Sequence, residues 1–274
     1  MKRFFILSIL LSLFIAYLFS QDLENFDEIN EDTTLIVSIS VEHPGMSTGV
    51  VTDVEIMPFR RVQWEMGMQY DYINGEHSII LPTTAVRIGV SNFAEVSVQY
   101  DGTLFFNNTP AKTICNYQVQ PITLATKLRV YDGWQWVPSM SFMACLAIPS
   151  TPELAKSMYV TPSIYLLCQN DITKWMHISY DLGAEWNGYD AMPTTFCALS
   201  LGFNLTENFC IFAENYNYFT RNINDSKTGV SVNVDLGFNW LVHPRVDIGL
   251  YATMNCLKPT SQTSIAFGAA WLIN

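Results

Sequence analysis

Of the four histidines in this 274-residue chain, His177 alone falls in a strictly alternating stretch, WMHISYDLGAEW, where it shares a face with Ser179 and Asp181. An imidazole, a hydroxyl and a carboxylate together are the raw material of nucleophilic catalysis. The spacing argues against that use. On a strand, side chains two residues apart stand about 7 Å from one another, beyond the reach of a base for its nucleophile. No nucleophile elbow and no glycine loop for phosphate accompanies them. The six cysteines, Cys115, Cys145, Cys168, Cys197, Cys210 and Cys256, are scattered without a CxxC pair, and the histidines do not cluster with them. That spacing does not suit a metal site. Export permits disulfides, but such scattered thiols read as small packing residues. Hence no catalytic, metal or cofactor-binding residue is assigned.

The charged residues carry more information. Glu65, Arg87, Glu95, Lys127 and Arg129 sit on the polar faces of successive alternating segments, each a few residues from a tight turn. Acid and base thus alternate at similar depth, and a buried charge is costly unless paired, so this wall is expected to form one ion-pair network. The later segments carry Asp181, Glu185, Glu214, Asp235 and Asp247 with almost no base besides His177. That wall is expected to face water and to favour cations or polar neutral solutes. The same inward faces carry Tyr159, Tyr165, Trp175, Phe212, Tyr216 and Tyr251. These rings either line a route for an aromatic or hydrophobic solute or fill space.

These side chains must be positioned by strands. In TGVSVNVDLGFNW, Val230, Val232, Val234, Leu236, Phe238 and Trp240 fall on one face, and Ser231, Asn233, Asp235, Gly237 and Asn239 on the other. Alternation of period two recurs from residue 61 onward in segments of about ten residues. About twelve strands are expected, near 61–73, 82–91, 94–105, 122–131, 134–148, 157–169, 173–186, 194–205, 209–219, 228–241, 246–256 and 262–273. Short turns alternate with longer polar loops near 74–81, 106–121, 187–193 and 220–227. The fold class is therefore all-β, a transmembrane antiparallel up-and-down β-barrel with its short turns in the periplasm. A soluble sandwich also alternates, but gives no reason to align Trp64, Trp134, Trp136, Trp240 and Trp271 at the short-turn end of the apolar face. An interfacial aromatic girdle does.

Composition agrees. Charged residues are 14% of the chain, against about 25% in soluble domains. With aromatics also at 14% and a net charge of −11, a disordered chain and a nucleic-acid binder are both excluded. Lys2 and Arg3, the apolar run from Phe4 to Phe19 and the polar stretch after Ser20 predict a cleaved signal peptide over 1–20. Residues 21–60 form a periplasmic leader, with Leu35, Val37 and Ile39 apolar enough to need cover, and are expected to act as a partial plug. Residues 61–274 form the barrel. The expected location is the outer membrane of a Gram-negative bacterium, with lipid as solvent and the barrel-assembly machinery as an implied partner. Ile265, Phe267, Ala269, Trp271 and Ile273 alternate outward to the end, although Asn274 stands where such barrels usually close on an aromatic.

Residues 43–70, HPGMSTGVVTDVEIMPFRRVQWEMGMQY, resemble the opening of the outer-membrane barrel family named for the MetA pathway of phenol degradation. Pro44, Gly45, Thr48, Met57, Pro58, Gln63, Glu65 and Gly67 carry the resemblance. His43 stands where an arginine is common, and 50–55 is longer than usual. The stretch FAENYNYF at 212–219 is also similar. The resemblance implies an outer-membrane transporter passing small, often hydrophobic molecules. Two functions stay open: a passive channel for a small-molecule solute, and a structural or adhesive barrel with a closed lumen. Strand number does not decide, because about 8 strands are filled by side chains and 16–18 leave an aqueous channel.

Overall fold

The computed structural model describes residues 51–109, 112–134, 136–149, 159–188, 192–221, 228–256 and 262–273. The expected signal peptide, and the leader up to residue 50, lie outside the described residues. The strands are β1 (Val62–Ile73), β2 (Glu76–Ser91), β3 (Ala94–Thr109), β4 (Lys112–Val119), β5 (Ile122–Tyr131), β6 (Ser139–Ile148), β7 (Thr161–Thr173), β8 (Met176–Glu185), β9 (Thr194–Thr206), β10 (Phe209–Arg221), β11 (Thr228–His243), β12 (Val246–Asn255) and β13 (Gln262–Leu272). Each pairs antiparallel with its neighbours, and β1 with β13 closes the ring. The strands β4 and β5 share one position in the wall. Both lie along β3, β4 against residues 102–109 and β5 against residues 94–99. Between them stands Pro121, which has no N–H to give the ladder, while Gln120 N still reaches Asp101 O at 2.9 Å. The wall is thus a closed barrel of twelve strands.

Two expected loops are strand instead. Segment 106–121 contains the end of β3 and all of β4, whose mixed polar residues hide its alternation. Segment 74–81 is a tight hairpin: Asn74 and Gly75 both take positive φ, 52° and 94°, as a two-residue turn of the I′ kind requires. In the opposite sense, β6 begins only at Ser139. Trp134 and Trp136 therefore lie in the β5–β6 connection, where Trp134 and Val137 exchange backbone hydrogen bonds of 3.0 Å.

The barrel is inverted relative to a soluble protein. Leu236 is 62% exposed while its neighbour Asp235 is fully buried. The same alternation runs around the wall, with Met66, Val98, Leu182 and Phe267 outward and Gln63, Glu95, Ser141 and Ser200 inward. The outer face is interrupted by polar residues on β10. There Asn217 donates to Asn215, and Asn215 to the Asn233 carbonyl, both at 2.9 Å. Adjacent positions on β3 test the facing. Val98→Arg is expected to cost about 2–4 kcal/mol near the bilayer midplane. Gln99→Arg, which points into a water-accessible cavity, is expected to cost far less. Urea unfolding in lipid vesicles measures both, and a larger loss at Gln99 would reverse the facing.

Candidate functional site

On the β1–β5 wall, alternation brings Glu65, Arg87, Glu95 and Lys127 inward on four neighbouring strands. Arg87 binds Glu95 through both Nε (3.0 Å) and Nη2 (2.9 Å) and reaches Glu65 at 3.3 Å. Lys127 stands 3.7 Å from Glu95. Gln63, fully buried, donates to Glu65 at 2.8 Å. Arg129 does not join this chain, contrary to expectation. It lies at the short-turn rim and pairs with Asp132 at 3.3 Å, because two further residues along β5 carry it out of reach.

A stretch of irregular chain, residues 51–57, crosses the lumen from this wall to the β8–β10 wall. It passes β2 at Gly89, where a β-carbon would collide with the carbonyls of Met57 and Pro58. Any side chain there would displace the segment. Val51, Val54, Ile56 and Met57 are buried, and the segment's backbone groups need partners inside the barrel. Lumen side chains supply them. Met57 N donates to Glu95 (2.6 Å), Thr52 N to Asp181 (2.7 Å) and Val51 N to Glu214 (3.3 Å). In return Lys127 donates to the carbonyls of Asp53 (2.9 Å) and Glu55 (2.8 Å), and Ser141 to that of Val54 (2.5 Å). The far end, Val51, packs on Phe196, Ala198 and Tyr216. The ion pairs therefore anchor a backbone as well as one another.

The acidic wall is drier than expected. Asp181 is 1% exposed and Asp235 fully buried. Asp181 and Glu214 spend oxygens on the crossing segment, and Asp235 lies between Glu214 and Thr253 in the strand register. Asp247 is buried at the short-turn end, and Glu185, half-buried at the long-loop end, accepts from the Tyr165 hydroxyl at 2.8 Å. The crossing segment has a cavity on each side. The one toward the short turns measures about 400 Å³ and is lined by Asp53, Glu55, Asp171, His177, Glu214 and Asp247. The other, toward the long loops, measures about 340 Å³. Glu55 is pushed up from the ordinary 4.5 to about 7, first by the neighbouring Asp53 carboxylate and second by burial. Of the three residues that share a face on β8, Ser179 donates to Gln169 at 3.3 Å, and the His177 ring lies over Gly202.

Among the expected lumen rings, Tyr165, Phe212, Tyr216 and Tyr251 face inward, and Tyr251 donates to Gln69 at 3.2 Å. Two do not. Tyr159 precedes β7 and is 58% exposed. Trp175 sits in the β7–β8 turn, where the alternation stops, and stacks on the outward ring of Phe203 at 6.1 Å. It stands outside with Trp64, Trp134, Trp136, Trp240 and Trp271, all exposed. Trp64 also pairs across strands with Trp271 and donates to Thr84 at 2.8 Å. Sequence reasoning missed Phe196, Tyr218 and Ser141 as lumen residues, although the alternation of β9, β10 and β6 carries their signal. For residues 51–57 it expected part of a plug but named none of the lumen partners, and the apolar spacing of Val51, Val54 and Ile56 is the trace they leave in the sequence.

Residues 47–270 match the family described as "Putative MetA-pathway of phenol degradation". No curated protein matches the sequence significantly. Several solved structures share the fold. A COG4313 outer membrane channel from Pseudomonas putida F1 superposes with TM-score 0.61 at 10% identity, covering 81% of this chain and 98% of that one. The NanC porin gives 0.53 at 12% identity, over 75% and 98%. A KdgM porin in complex with disordered oligogalacturonate gives 0.52 at 7% identity, over 77% and 99%. These neighbours are channels and porins.

Proposed function

The chain belongs to the family named for the MetA pathway of phenol degradation, an outer-membrane β-barrel resembling small-molecule channels, and on that premise we propose a passive channel for small solutes, partly plugged by residues 51–57. Residues 1–20 direct export and are cleaved. The observation that carries the reading is a lumen divided, not filled: cavities of about 400 and 340 Å³ flank a single strand of chain held by side-chain hydrogen bonds. The lining is acidic, and its bases Arg87 and Lys127 are occupied by Glu65, Glu95 and the segment's carbonyls. Cations are therefore favoured over anions. The closed structural barrel is the second reading, supported by the same segment. Planar-bilayer conductance separates the two: cation-selective openings support the channel, and a silent bilayer supports the closed barrel.

The plug makes conductance depend on pH. Glu55 faces Asp53 and, in decreasing strength, Arg129, Asp171 and Lys127. Asp53 travels with Glu55 on the segment, but burial and Asp171 come with seating and outweigh Arg129 and Lys127, so seating raises the affinity of Glu55 for a proton. Seating is therefore favoured below about 4.5 and that contribution is lost as pH rises through about 7. Conductance is expected to be greater at alkaline than at acid pH across this window, and Glu55→Gln to flatten the dependence. A slope of opposite sign would remove Glu55 from the seating.

A further inference from the structure

The cavity on the long-loop side has a composition that points to a particular ligand. Its wall includes Tyr165, Trp186, Phe196 and Tyr218, with Glu185 as its one ionisable carboxylate. We propose that it binds a compact organic ammonium ion, such as a methylated or aryl-substituted amine. Three of the rings form a continuous aromatic surface. Tyr165 meets Phe196 edge-on at 6.0 Å, and Phe196 meets Tyr218 at 5.2 Å. Tyr165 is held in place from behind: its ring lies over Gly183, its direct partner across β7 and β8, where a β-carbon would collide with it.

Glu185 sets the charge of the ligand. One oxygen accepts from Tyr165 at 2.8 Å, and among the described residues Glu185 has no ion pair. Arg87 and Lys127 are committed elsewhere. A half-buried carboxylate beside aromatic faces is unfavourable alone and favourable with a cation against it. An ammonium carrying carbon substituents gains twice, from the carboxylate and from the ring faces. A bare metal ion would gain little, since the cavity offers it a single carboxylate and, among the described residues, no group of three or more His, Cys, Asp or Glu forms a metal site. A volume of about 340 Å³ is at the small end of ligand pockets, which limits the guest to a compact one. Thr52 of the crossing segment forms part of the cavity wall. A guest would thus wait on the outer side of the plug. In that respect the inference rests on the channel reading, while the binding is measurable without it.

The test is calorimetric titration of the full-length protein in detergent with choline and with its neutral isostere 3,3-dimethyl-1-butanol. Choline is expected to bind about tenfold or more tightly than the isostere. Glu185→Gln and Tyr218→Leu should each weaken choline about tenfold while barrel folding, read from heat-modifiable gel migration, is retained. Tyr165→Phe, which keeps the ring and frees the carboxylate, should leave choline bound. Equal affinity for the two probes, no choline binding, or an unchanged Glu185→Gln would overturn the proposal. Binding without conductance would sink the channel reading alone, and conductance without binding would sink the ammonium site alone.

Discussion

Arg87→Ala is expected to destabilise the barrel by roughly 3–5 kcal/mol, the range for breaking a buried ion pair by removing one partner. The size follows from what is left behind. Glu95 is 3% exposed and has Arg87 on two of its contacts. Without the guanidinium it keeps Lys127 at 3.7 Å and the Met57 N–H at 2.6 Å, which places the loss toward the lower end of the range. Glu65 loses its cation and keeps the neutral Gln63 amide at 2.8 Å. Arg87→Lys should recover part of the loss, since an ammonium can meet one carboxylate but cannot hold two with a planar fork. Pairing Arg87→Ala with Glu95→Gln gives a double-mutant cycle, in which contacting groups should show a coupling of roughly 0.5–3 kcal/mol. Denaturant titration in lipid vesicles reads all of these. An Arg87→Ala barrel as stable as the parent, with no coupling to Glu95, would mean that the four-residue chain of charges contributes nothing net.

That ion-pair wall illustrates what a linear sequence can reveal about a barrel. Period-two alternation assigns each residue a face, and tight turns assign it a depth. Face and depth are enough, from the sequence alone, to bring Glu65, Arg87, Glu95 and Lys127 into one neighbourhood. The same logic fails where either coordinate is lost. Trp175 lies in a turn, where alternation no longer fixes the face, and its ring goes outward onto Phe203. Tyr159 lies before its strand begins. Arg129 has the right face but the wrong depth, and two residues are enough to change its partner to Asp132. The strand β4 is hidden because its sequence, KTICNYQV, mixes polar and apolar residues without clear alternation. The crossing segment is harder still. Its bonds to Asp181, Glu214, Glu95, Lys127 and Ser141 join residues from 38 to 163 positions apart, and no local pattern records such a contact. It also explains why Asp181 is dry: the water expected on that wall is replaced by the backbone N–H of Thr52.

Deleting residues 22–58 is expected to raise single-channel conductance severalfold and to leave the barrel folded. The wall makes its own closed ring of ladder hydrogen bonds, β1 to β13 included, and none of those bonds involves the segment. What the deletion removes is the set of side-chain bonds that span the lumen. Water can replace the segment at Asp181, Glu214 and Ser141 at modest cost, and Glu214 already borders the larger cavity. The two cavities would then join into one path lined by the acidic wall, so selectivity for cations should rise with conductance. A single substitution gives the graded version. Lys127→Met removes both bonds to the carbonyls of Asp53 and Glu55 yet leaves Glu95 with Arg87. It should loosen the middle of the segment and produce brief openings in place of a permanently wide pore. Losing the native gel migration would show that the segment supports the wall, and an unchanged conductance in a folded deletion variant would show that it obstructs nothing. The plug requires the remaining outcome, a folded barrel that conducts more, because hydrogen bonds between a wall and a strand crossing the lumen can close a pore only while the strand stays seated.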